Sequence, residues 1–290
     1  MDDPRSDSPK WPFHGWIGLA LVAIFWPLNW CLDGIRTHWA FFPLWLGYCL
    51  TVDGLTFART GSSLLSRSRR AYIGLFAASV PAWWLFELIN QRTRNWIYLD
   101  DGLIGPIEYA LLASLAFSTV IPAVFGSAEL VSSFAWMRRL PPGPRVAPTT
   151  TVQTVFFAAG LLMLALTLGW PRYFYPFVWL SVFFIIEPVN HRLGHRTLLA
   201  RTAVGDWRPV VSLWIGTLIC GFFWELWNYW SFPKWIYNVP FLGFGRIFEM
   251  PVLGYGGYLP FALELFALYH LLSGILGYRT GWKYLRLGDD

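Results

Sequence analysis

Two stretches of this chain place an acid and an amide three residues apart inside apolar surroundings. Residues 86–90 read Phe-Glu-Leu-Ile-Asn and lead to Trp96-Ile97-Tyr98, while residues 224–228 read Trp-Glu-Leu-Trp-Asn and lead to Trp235-Ile236-Tyr237. Glu and Asn at i and i+3 share one face of a helix. A carboxyl in an apolar segment is expensive unless it is paired, neutral or functional, and such residues mark functional sites by default. Without a cationic partner it tends to stay protonated, and a protonated carboxyl is a general acid. It can equally hold helices together through a carboxyl–amide hydrogen bond. Glu108, in Gly-Pro-Ile-Glu-Tyr, and Glu249, in Ile-Phe-Glu-Met-Pro, follow the two motifs at similar distances. Glu87, Glu108, Glu225 and Glu249 are therefore the candidate catalytic acids. Asn90, Trp96, Tyr98, Asn228, Trp235 and Tyr237 are the candidate substrate-binding groups. Asn90 and Asn228 are expected to bond a substrate or a carboxyl on the next helix, and the Trp-Ile-Tyr triplets to anchor at the interface or to form an aromatic lid.

The elements that must position these groups are membrane helices. The chain is 56% hydrophobic and 13% charged, against about 25% charged in ordinary soluble domains. Eight apolar runs are long enough to cross a bilayer: 15–32, 39–57, 71–90, 104–126, 152–169, 173–190, 209–230 and 248–276. Of the 22 Lys and Arg, sixteen fall in the N-terminal tail, 58–70, 127–151, 191–208 and the C-terminal tail, and six in the alternate loops. Basic loops stay cytoplasmic, so both termini are expected inside, as in a bacterial-type inner membrane. The net charge of +5 thus reports topology rather than a nucleic-acid partner, and the partners expected are the bilayer and an apolar lipid.

The fold class that follows is an all-α polytopic membrane protein, with about eight transmembrane helices in two parallel four-helix repeats. The repeats are related by a pseudo-two-fold axis along the membrane normal, because an even number of spans separates the copies. The expected organisation is a disordered tail over 1–14, a first repeat over 15–137, a Pro-rich linker over 138–151, a second repeat over 152–278 and a tail over 279–290. Asp53 and Glu187 lie at the opposite end of the spans and form a separate layer. Arg246 stands three residues before Glu249 and is positioned to pair with it, and Glu264 is either an unmatched functional acid or a partner of His270. Glu187, His191 and His195 have helical spacing for metal ligands, but Gly194 and the neighbouring arginines read as a frayed helix end, so no metal and no cofactor is expected. The aromatic-rich second half is the stronger candidate for activity.

The order of an acid near a span end, Trp-x-Tyr, and Gly-Pro-x-Glu opening the next span resembles the lycopene cyclase domain of the small membrane-embedded carotenoid cyclases. Glu87, Trp96, Tyr98, Gly105, Pro106 and Glu108 carry the resemblance, with Glu225, Trp235, Tyr237 and Glu249 in the second half. The family pattern carries a double acid where this chain has Glu108-Tyr109. The resemblance implies acid-initiated, non-redox cyclisation, isomerisation or binding of a long isoprenoid. A carboxylate-containing transporter and a non-enzymatic membrane scaffold are the alternatives.

Overall fold

A computed structural model describes residues 10–32, 39–99, 102, 104–278 and 284–288. The chain is an all-α polytopic membrane protein, with eight helical segments among the described residues long and apolar enough to span a bilayer. The first repeat comprises α1 (Phe13–Cys31), α2 (Phe41–Thr60), the short α3 (Leu64–Arg67), α4 (Arg69–Thr93), strand β1 (Trp96–Leu99), α5 (Pro106–Phe117), α6 (Val120–Ser132) and the short α7 (Ala135–Arg138). The second comprises α8 (Thr150–Gly169), α9 (Pro171–Phe174), α10 (Val178–Arg192), the short α11 (Leu198–Thr202), α12 (Arg208–Tyr229), strands β2 (Lys234–Tyr237), β3 (Arg246–Ile247) and β4 (Met250–Pro251), and α13 (Tyr258–Ile275).

Three spans are interrupted. The fourth breaks at Ser118-Thr119, between α5 and α6, and Ser79 of α4 inserts there. Its hydroxyl donates to Phe117 O (2.6 Å) and accepts from Ile121 N (3.0 Å), satisfying backbone groups that the break frees. The sixth span joins α9 to α10 through a 3-10 turn at Tyr175–Phe177. The eighth opens with a 3-10 turn at Val252–Gly257 before α13. The expected start of that span at 248 is therefore too early, because 248–251 belongs to the β3–β4 hairpin. The fourth span runs past its expected end at 126 to Ser132, which brings Glu129 into it.

The contacts of the two repeats exchange. α1 packs on α2 as α8 packs on α10, α2 on α6 as α10 on α13, and α4 on α6 as α12 on α13. The α6–α12 contact between repeats has its counterpart in α4–α13. The four helices α4, α6, α12 and α13 form the centre, and α1 and α8 are peripheral, with 17% of each buried. A methyl at Gly18 would lie 2.5 Å from Thr51 N, so this glycine permits the close α1–α2 crossing.

The repeat extends to the end of the bundle away from the strands. Asp53 accepts from Leu65 N (2.9 Å) and from Ser63 Oγ (2.6 Å), while Glu187, also twelve residues before its partner, accepts from Leu199 N (2.8 Å). Each buried carboxylate thus caps the N-terminus of a short helix, α3 or α11, where free N–H groups and the helix dipole favour negative charge.

Two expected tails are shorter than drawn. α1 begins at Phe13, since Pro12 sets the extended entry and α1's apolar face packs on α2; residues 1–9 lie outside the described set. At the other terminus, 284–288 docks on the bundle, with Leu285 and Leu287 fully buried, while 279–283 and 289–290 lie outside the described set. Arg67 Nε donates to Tyr284 O (2.9 Å), Arg196 Nη1 to Leu285 O (2.6 Å), and Tyr284 Oη to Leu64 O (3.0 Å). These bonds join both repeats to the C-terminal segment.

Candidate functional site

The repeated motif is a clamp on a strand. α4 closes with Arg94 in the left-handed region (φ 53°), which turns the chain directly into β1. β1 then pairs antiparallel with β2 of the other repeat, with Trp96 opposite Tyr237, Ile97 opposite Ile236 and Tyr98 opposite Trp235. The local two-fold of this ribbon passes between Ile97 and Ile236, and it relates the same residues that the repeat relates. Opposed residues of an antiparallel pair point to the same side and successive ones alternate. Trp96, Tyr98, Trp235 and Tyr237 thus face the protein together, while Ile97 is largely exposed.

Each half holds its strand in the same way. Asn90 Nδ2 donates to Trp96 O (2.9 Å) and Asn90 Oδ1 accepts from Asn95 N (2.9 Å) and Trp96 N (3.4 Å). Asn228 Nδ2 donates to Trp235 O (2.7 Å) and its Oδ1 accepts from Trp235 N (2.8 Å). One helical turn away, Glu87 Oε1 accepts from Tyr98 Oη (2.6 Å), Trp83 Nε1 (2.8 Å) and Trp96 Nε1 (3.0 Å). Glu225 Oε1 accepts from Tyr237 Oη (2.6 Å) and Tyr258 Oη (2.9 Å), and Trp235 Nε1 donates to Tyr237 Oη (2.9 Å). Glu225 is fully buried, and its Oε2 has no hydrogen-bond partner. Burial pushes the Tyr98 and Tyr237 phenols well above their ordinary range, so both remain donors.

The ribbon roofs a cavity of about 280 Å³ between the two repeats. Its floor is built from Trp179, Trp224 and Phe261, with Tyr109 of α5 and Tyr258 on the walls. Rings of the two halves interleave beside it. Phe86, beside Glu87, packs on Trp179 (5.5 Å between centroids), and Trp224, beside Glu225, packs on Trp45 (5.1 Å). Roof rings do likewise, Trp96 stacking on Trp179 (5.7 Å) and Trp235 meeting Phe41 edge-on (5.8 Å). The 238–251 loop closes one side, with Val239, Leu242 and Met250 inward and Phe241 and Phe244 exposed.

The expected site residues divide accordingly. Trp96, Tyr98, Trp235 and Tyr237 line the cavity, and Glu87 and Glu225 stand directly behind it. Asn90 and Asn228 do not bond a neighbouring carboxyl, and their amides are engaged by the strand backbones rather than presented to a substrate, because a strand leaving a helix has unpaired N–H and C=O groups within their reach. Glu108 is exposed and outside the cavity wall, and it forms no hydrogen bond or ion pair among the described residues. α5 turns Tyr109, Leu112, Ala113 and Ala116 to the cavity. Glu108, one residue from Tyr109 and hence about 100° around the helix, falls on the flank of exposed Ile107, Leu111 and Leu115. Glu249 is in the hairpin, where Lys234 Nζ donates to Oε1 (2.5 Å) and Arg246 Nη1 stands 3.9 Å from Oε2. Lys234, fifteen residues away, is thus its nearer cation.

Glu264 and His270 do not pair, since six residues on a helix separate them by about 120°. Glu264 Oε1 accepts from Val182 N of α10 (3.2 Å), whereas His270 packs on Phe266. His195 Nδ1 lies 3.0 Å from Asn190 Oδ1, and no group of three His, Cys, Asp or Glu side chains is close enough to hold a metal ion among the described residues. Sequence reasoning missed Trp83, Asn95 and Tyr258. Trp83 had a signal, its i−4 position to Glu87; Tyr258 had none, since position 120, its counterpart, is valine.

The clamp makes a direct prediction. Replacing Asn228 by Leu removes two hydrogen bonds from Trp235 and leaves its backbone groups unpaired. Opening of the ribbon is expected to become easier by about 2 kcal/mol, roughly 30-fold, seen as faster amide deuterium uptake over 234–237 with α12 unchanged. Unaltered uptake in the strands would sink the clamp assignment.

Fold and site together define a helical integral membrane protein with an aromatic cavity backed by two carboxyls. No protein-family model matches the chain, and no curated protein or solved structure matches it either.

Proposed function

We propose that this protein is a lycopene-cyclase-like membrane protein that takes the end of a long isoprenoid into the roofed cavity and isomerises or cyclises it by acid-initiated, non-redox chemistry. The observation that carries this reading is the pair of Glu–Tyr contacts, one from each repeat, behind a single cavity walled by aromatic rings. Proton addition to a terminal C=C leaves a tertiary cation. Attack by a neighbouring C=C closes a ring, and loss of a proton restores neutrality, so the product is an isomer and no electrons are gained or lost. Glu225, with one oxygen held by two phenols and the other unpartnered, is the group that supplies the proton, relayed through the cavity-lining Tyr237 hydroxyl that it contacts. Glu87, whose Oε1 accepts three donors, is the second carboxyl set to balance the cation, and ring faces stabilise positive charge. Glu249 closes the loop through Lys234, and Glu108 takes no part. The positive-inside distribution supports a bacterial-type inner membrane, with both termini cytoplasmic and the ribbon on the outer side.

A non-enzymatic scaffold is favoured by one observation, that both Asn clamps are complete without a ligand. Pigment and lipid analysis of cells supplied with an acyclic carotenoid precursor separates the two. Wild type is expected to convert the precursor, and Glu225→Gln, at equal protein level, to lower the yield about 100-fold or more. A wild-type profile identical to that of empty cells would remove the enzyme reading.

A further inference from the structure

Among the described residues, the roof contains a polar atom that the protein itself leaves unpartnered. Asn95 immediately precedes β1, lines the cavity and is 4% exposed. Its backbone is fixed on both sides, since its N–H donates to Asn90 Oδ1 (2.9 Å) and its carbonyl accepts from Asn238 N (2.8 Å). Its side-chain Oδ1 is buried and has no hydrogen-bond partner. An amide in that state loses its hydration without compensation unless something in the cavity bonds to it.

The repeat supplies an internal comparison. At the matching position before Trp235 stands Lys234, also on the cavity wall, but its ammonium is engaged by Glu249 Oε1 (2.5 Å) and Tyr229 O (3.2 Å). The second half satisfies its polar group within the protein, and the first half leaves the Oδ1 of its cavity-lining amide unpartnered. A neutral carboxamide both donates and accepts, and the chemical group that matches it in a small aromatic chamber is a hydroxyl. A hydrocarbon end would leave the amide unpaired, and sites with buried hydrogen-bonding groups reject ligands that lack the partner.

We infer that Asn95 recognises a hydroxyl at the end of the bound lipid, so that the substrate class is a hydroxylated isoprenoid rather than a pure hydrocarbon. This inference rests on the isoprenoid reading above. The test uses the full chain in lipid nanodiscs and two C20 probes, geranylgeraniol and the same chain ending in methyl, with binding followed by quenching of the cavity tryptophans. Wild type is expected to bind the alcohol about tenfold more tightly than the hydrocarbon, one hydrogen bond's worth. Asn95→Leu should bind the two equally while keeping its hydrocarbon affinity, and Asn95→Ala, which cannot clash, serves the same purpose if the leucine variant misfolds. Equal wild-type affinities, or a preference that survives both substitutions, would overturn the assignment and leave water as the partner of Asn95. Binding of neither probe would instead overturn the isoprenoid reading itself.

Discussion

Arg67→Ala is expected to destabilise the protein by about 3–5 kcal/mol, more than any cavity substitution considered above, because it strands a buried carboxylate. Arg67 Nη2 donates to Glu129 Oε2 (2.6 Å), its Nε to Tyr284 O (2.9 Å) and its Nη1 to Ser62 Oγ (3.2 Å). One side chain therefore connects the loop before α3, the inner end of α6 and the docked C-terminal segment. The remaining neighbour of that carboxylate is Arg286 N, a long contact of 3.4 Å, so the guanidinium is its principal counter-charge. A fall in the thermal midpoint of the detergent-solubilised protein, followed by tryptophan fluorescence, is the measurement. The double variant Arg67→Ala with Glu129→Gln should recover part of the loss, since the neutral amide no longer needs a cation. A midpoint equal to wild type in Arg67→Ala would mean that the pair is solvated and contributes nothing.

Gly216→Val is the second large effect, and it acts through backbone. A methyl at Gly216 would stand 2.5 Å from Ala128 N and 2.7 Å from Ala128 Cα, closer than atoms approach without displacement. No side chain can rotate away, so α12 and α6 must separate, and this is the main contact between the repeats. Overpacking costs typically 1–3 kcal/mol and more where backbone must move. Small residues at such crossings are what allow membrane helices to pack closely. The expected result is loss of the monodisperse peak on size exclusion, or a fall of several kcal/mol where the variant survives. Gly74→Val on the exposed face of α4, where a methyl meets nothing within 4 Å, is the control and should change stability by less than about 0.5 kcal/mol. Equal behaviour of the two variants would refute the close approach.

These two positions show where sequence reading reaches its limit. The expected fourth span stopped at 126 because the hydropathic pattern weakens towards the basic loop. Glu129 falls outside that expected span, although its partner Arg67, 62 residues away, lets it lie inside. Gly216 is one of 26 glycines, and only the facing backbone distinguishes it from Gly74. The exposed position of Glu108 has a related reason. Its distance along the chain from Glu87 suits a shared site, but helix phase decides facing, and that phase is set by α5 packing against α4 and α2.

The sequence by itself determined what is local or repeated: a helical membrane chain, eight spans, and Glu87–Asn90 and Glu225–Asn228 each on one helix face leading to Trp-Ile-Tyr. Those features follow from hydropathy and from the 3.6-residue period, which act over a few turns. Tertiary structure alone decided that the two triplets meet as one antiparallel ribbon, since a strand's partner is fixed by unpaired backbone groups and here lies about 139 residues away. It also decided that the asparagines clamp backbone, that Glu249 joins Lys234, and that the Oδ1 of Asn95 remains unpartnered beside an aromatic chamber. Each of these depends on which groups are brought together when the two repeats close on each other, and short-range spacing carries no information about that closure.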